Sequence, residues 1–70
     1  MEHVLAKIIL ITKVSELIAK EYKLPIGEAR NRLYQSEIID LIEDDETGLY
    51  GESPLYIFSL YKEFYNKAKK

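Results

Sequence analysis

The chain has no cysteine, a single histidine and no long hydrophobic run, and each shortage removes a class of explanation. Without cysteine there are no disulfides to hold so short a chain together. With one histidine besides, the zinc sites that staple many small domains lack their four nitrogen or sulfur ligands. Charge of one sign is missing too. Ten Lys and Arg against twelve Asp and Glu leave a net charge of −2, which offers no general field for gathering phosphates, so nucleic acid is a disfavoured partner. The most apolar stretch, Ile8-Ile9-Leu10-Ile11, sits between Lys7 and Lys13 and falls far short of the roughly 20 residues that cross a bilayer. No small-residue cleavage site follows it, and Glu16 and Lys20 continue a helical pattern, so it reads poorly as a signal segment. A cytoplasmic protein without membrane contact or cofactor is the expectation.

Seventy residues leave room for one core, so residues 1–70 are taken as a single helical domain. A chain of this size buries only about 60% of its unfolded surface, and small domains usually need a staple. With disulfide and zinc gone, the remedies left are good helix packing and association with a second chain.

What is present is helical periodicity. Val4, Ile8, Ile11, Ile18 and Tyr22 recur at spacings of three, four and seven, with Leu10, Val14 and Leu17 widening the stripe, which predicts one long helix from Glu2 to Tyr22. The competing reading is a strand over Lys7–Val14, where β-branched residues are dense. No turn signal separates that run from Ser15–Tyr22. Around Ile8–Ile11 the helix is apolar on every side and asks for cover on every side, for which a second chain is the natural source. Pro25 ends this helix and opens the next, predicted over Pro25–Tyr34 with Ile26, Ala29 and Leu33 inward. Gln35-Ser36 offers a break with Ser36 as N-cap of a short helix Glu37–Glu43, although one kinked helix is an alternative. Acidic residues oppose the dipole at a helix C-terminus, so Glu43-Asp44-Asp45-Glu46 should leave the helix as a loop. Thr47-Gly48 supplies the turn, Gly51 a second permissive position, and Ser53-Pro54 a helix start. The last helix, Pro54 to Lys67, carries the stripe Ile57, Phe58, Tyr61, Phe64, Tyr65 and Ala68, extended by Tyr56 and Leu60.

Chemical motifs are weaker. The acidic run with Gly48 suggests calcium, but an EF-hand loop begun at Asp40 has isoleucine at its third position and Asp45 at its sixth, where glycine belongs. His3, beside Glu2, has no orienting third group, and Glu28 and Asp40 lie twelve apart across a break, so no catalytic set of nucleophile, base and orienter forms. The aromatics of the last helix, with Lys62, Lys67, Lys69 and Lys70, could stack bases, yet a stripe at helical spacing is first of all a core face. The pair Leu24–Leu33 and Ile38–Ile42 has the outline of a helix-turn-helix, with Arg30 and Arg32 as the possible nucleic-acid contacts. Tyrosines combine apolar faces with a polar tip, the property that enriches them at protein interfaces, and some of Tyr50, Tyr56, Tyr61 and Tyr65 should be half exposed.

Glu21-Tyr22-Lys23-Leu24-Pro25-Ile26-Gly27-Glu28-Ala29, Leu33-Tyr34-Gln35-Ser36, Asp45-Glu46-Thr47-Gly48-Leu49-Tyr50 and Glu52-Ser53-Pro54-Leu55-Tyr56 together resemble a group of small uncharacterised bacterial helical proteins. The resemblance covers about two thirds of the chain. It implies a partner in a toxin–antitoxin-type or other defence-linked gene pair, and it carries over no catalytic residue.

These readings converge on an all-α bundle of about four helices with short loops, associating as a homodimer. Its expected function is that of a non-enzymatic interaction module, antitoxin-like, that binds itself or a protein partner. The expected interface is Ile8, Ile9, Leu10 and Ile11 with Tyr56, Leu60, Tyr61 and Tyr65. A small DNA-binding regulator reading through Pro25–Ile42 is the alternative.

Overall fold

The computed structural model describes residues 4–46 and 49–68. They form α1 (Val4–Tyr22), α2 (Ile26–Tyr34), α3 (Glu37–Glu43) and α4 (Pro54–Ala68), with a 3-10 turn at Leu49–Gly51 before the last helix. Lys7–Val14 is helical throughout, and no strand occurs among the described residues. The expected turn at Thr47-Gly48 lies outside the described residues, as do Glu2, His3, Lys69 and Lys70.

All four helices close on one core. Leu10, Ile11, Val14 and Ile18 of α1 meet Ala29 and Leu33 of α2, Ile38, Ile39 and Ile42 of α3, and Ile57 and Tyr61 of α4. Burying a large aliphatic side chain fully contributes about 1.5–3 kcal/mol, so Val14, Ile18, Leu33, Ile42 and Ile57, none of which keeps any exposure, supply much of what offsets chain entropy in so short a protein. One other wholly buried side chain works against this. Ser15 lies wholly inside, and its hydroxyl makes no hydrogen bond among the described residues, an arrangement that costs about 1–3 kcal/mol.

The inward stripe of α1 begins later than the spacing predicts. Val4 and Ile8 share its periodicity yet stay 43% and 54% exposed. At 1.5 Å per residue α1 is about 28 Å long, whereas α2 and α3 have nine and seven residues, so its first turns outrun the helices that could cover them.

The junctions explain why the chain breaks where it does. After Tyr22 the backbone of Lys23 turns left-handed, with φ 56°, and the Leu24 N–H donates to the Ala19 carbonyl at 2.9 Å. This is a Schellman closure, followed at once by Pro25, and Ala19 and Leu24 both pack against the core edge as that motif favours. At the next junction α2 and α3 are separate helices. Gln35 N–H bonds the Asn31 and Arg32 carbonyls, and Ser36 N–H bonds Leu33. Ser36 occupies the N-cap position of α3 with extended backbone, but its hydroxyl does not cap that helix. It donates backwards to the Leu33 carbonyl at 2.7 Å, so that this buried end of α2 takes both the backbone N–H and the hydroxyl of Ser36. Ser53 behaves as expected: its Oγ accepts from the Tyr56 N–H at 3.2 Å, and Pro54 opens α4.

A lysine held left-handed carries a cost of roughly 1 kcal/mol that glycine avoids. Lys23→Gly is therefore expected to raise the urea midpoint by the equivalent of about 1 kcal/mol. An unchanged or lowered midpoint would mean that the Lys23 side chain contributes something the backbone conformation does not reveal.

Candidate functional site

The outer side of α1 is the most apolar exposed part of the molecule. Leu5, Ile8 and Ile9 are 70%, 54% and 46% exposed. With the half-buried Thr12 they form a second stripe at spacings of three and four, about half a turn away from the core face. At one edge of this stripe Leu55, at the start of α4, is 67% exposed and borders a hollow shared with Lys13, Glu16, Leu17 and Lys20. A second hollow continues from it past Lys13, between Ala6 and Ile9 on one side and Tyr50, Glu52 and Pro54 on the other. Their volumes of ≈ 450 and ≈ 340 Å³ would hold a small ligand, but both are open troughs along the helix rather than enclosed cavities.

The expected interface residues divide between this surface and the interior. Ile8, Ile9 and Tyr56 are exposed. Leu10, Ile11 and Tyr61 are buried in the protein's own core, which corrects their reading as docking residues. The reason is helical phase: four consecutive apolar residues occupy all sides of a helix, and only two of those sides are taken by α2 and α4. Leu60 and Tyr65 are half-buried, Leu60 against α3 beside Ile38 and Leu41. Leu5 and Leu55 are more exposed than any residue expected at the interface. The i+3 and i+4 relation of Leu5 to Ile8 and Ile9 is a sequence signal for the first, whereas Leu55 lies off the α4 stripe and has none.

Two anchors position the troughs. Lys7, reaching from α1, donates to the Glu43 carbonyl at 2.9 Å, pairs with Asp45 at 2.6 Å, and lies 5.7 Å from the centre of the Tyr50 ring. α3 has no basic residue in its last turn, so Lys7 supplies from another helix the positive charge that its C-terminal dipole lacks. The second anchor is aromatic. Tyr22 of α1 sits 4.9 Å from Tyr65 and 6.3 Å from Tyr61, and Tyr61 is 6.3 Å from Tyr65. Burial pushes the Tyr22 hydroxyl above its ordinary pKa, helped by Tyr61, Glu21 and Tyr65. Burial likewise raises Tyr61, opposed by the positive charge of Arg32 and assisted by Tyr65.

Arg30 and Arg32 do not form a shared patch. Residues two apart on a helix face different ways, and Arg32 is engaged with Glu28 at 3.0 Å. The exposed residues of α3, which a helix-turn-helix would lay in a groove, are Glu37, Asp40, Leu41 and Glu43, three carboxylates that repel phosphate beside one leucine. No three His, Cys, Asp or Glu side chains come together as a metal set among the described residues, and no helix among them is long and apolar enough to cross a membrane.

Replacing Lys7 by methionine keeps the apolar stem and removes the ammonium. The expected cost is about 1–2 kcal/mol in urea unfolding, the range for a charge-assisted hydrogen bond discounted for exposure of Asp45. Asp45→Asn should cost less, because the Glu43 carbonyl and Tyr50 ring still hold Lys7. Equal losses in the two variants would place the stabilisation in the ion pair alone. The tyrosine shifts set a second expectation. A pKa raised in the folded state stabilises the fold fully below the unfolded value of about 10 and less as pH climbs through the folded value, so stability should fall above roughly pH 10. Ultraviolet titration alongside circular dichroism checks this, and complete tyrosine ionisation at its ordinary pH with helicity intact contradicts it.

The chain matches no protein-family model, no curated protein and no solved structure.

Proposed function

We propose that the protein is a non-enzymatic interaction module that works by self-association, as a homodimer. The observation that supports this is the outer stripe of α1, Leu5, Ile8 and Ile9, adjoining Leu55 and followed on α4 by the 47% exposed Tyr56. An apolar surface gathered on one helix, rather than scattered singly, has the character of an association site. The same surface could receive a partner protein in the antitoxin-like role that the resemblance implies. DNA binding has less behind it, since the two candidate arginines diverge and α3 presents carboxylates.

Sedimentation equilibrium at micromolar concentration tests the reading. A dimer is expected. Ile8→Ser with Ile9→Ser should convert it to monomer while leaving helicity intact, because neither side chain belongs to the core. A protein that stays monomeric through the high micromolar range would end the self-association reading.

A further inference from the structure

The two troughs along α1 hold charges of both signs in a spacing that matches itself. Lys13 separates the hollows, Glu16 and Lys20 line the first, and Glu52 lies in the second with Ile9. Lys13, Glu16 and Lys20 are exposed on the outer side of α1, and none makes an ion pair among the described residues. With Glu52 as the second carboxylate, the troughs carry two positive and two negative charges.

Lys13 and Lys20 are two helical turns apart, about 10.5 Å, and Glu16 and Ile9 are separated by the same two turns. Resting on the self-association reading above, we infer that α1 pairs antiparallel with α1 of a second copy, about a two-fold axis passing between Lys13 and Glu16. In that register Lys13 faces Glu16 of the second copy, and symmetry repeats the pair. Lys20 then crosses Ile9 of the second copy, laying its stem on the isoleucine and bringing its ammonium to the hollow that contains Glu52. Every charge lining the troughs meets an opposite charge. Leu55, the exposed leucine beside Lys13, Glu16 and Leu17, lies near the axis, where the two copies exclude water. A register shifted by three residues sets Lys13 against Lys13 in one direction and Glu16 against Glu16 in the other, so charge selects this pairing over its neighbours.

The test is a charge exchange on residues outside the core. Lys13→Glu and Glu16→Lys each turn two symmetry-related attractions into repulsions, and each should raise the dimer dissociation constant about tenfold or more in sedimentation equilibrium. Mixing the two variants sets the introduced carboxylate of one copy opposite the introduced ammonium of the other, and the native Glu16 of the first opposite the native Lys13 of the second. A heterodimer as tight as the native dimer is then expected. The double variant should also recover homodimerisation. Circular dichroism of each variant verifies that the helices persist. Dimers indifferent to both reversals would overturn this register while leaving self-association standing, as would single reversals that weaken the dimer without recovery on mixing. A native protein that is monomeric at every concentration would overturn both.

Discussion

Everything in the fold leans on the inward stripe of α1. Leu10, Ile11, Val14 and Ile18 form the surface on which α2 and α4 lie, and α3 reaches the same core through Ile38, Ile39 and Ile42. α1 also touches the 3-10 turn, so one helix has contacts with most of the chain. In a protein without disulfide or metal, this makes the remaining elements depend on a single face of about three turns. That dependence explains why neighbouring features look overdetermined: a left-handed Lys23 is tolerated because the Ala19 and Leu24 contacts hold the corner that sends α2 back along α1.

The acidic loop gains its place through the same helix. Acidic residues at the end of α3 are unfavourable for that helix considered alone, and nothing in the local sequence remedies this. Lys7 does so from 36 positions away in the chain, reaching the Glu43 carbonyl while also meeting Asp45. Glu46 N–H then bonds the Asp44 carboxylate at 2.9 Å, an Asx turn that uses a second acid as an acceptor. Adjacent acidic residues thus serve as acceptors for cationic and backbone donors.

The sequence was most legible where the signal was local. Pro25, Ser53-Pro54 and the acidic run each marked a boundary that the structure reproduces within a residue or two, because caps and prolines act through their own backbone. Periodicity also placed Val14, Ile18, Leu33, Ile42 and Ile57 inside. It failed at Ile8–Ile11, where an unbroken apolar run has no phase and only the position of the neighbours decides which sides are covered. Ser36 shows another limit: its location at a helix start was readable, but the choice between two acceptors, one ahead and one behind, depends on the buried end of α2. The candidate surface was legible by half, through Ile8 and Ile9. Leu55 was not, since its exposure follows from how α4 settles beside α1.

The aromatic contact between α1 and α4 has a consequence for how the molecule can be observed. The chain has no tryptophan and six tyrosines, so its near-ultraviolet signals come almost entirely from phenol rings. Three of these, Tyr22, Tyr61 and Tyr65, lie within 6.3 Å of one another in fixed relative orientations, where their transitions couple and excitation can pass between them. Tyr22 belongs to the first helix and the other two to the last. The protein therefore carries an optical gauge of whether its two longest helices are joined, built from native residues and read without a label.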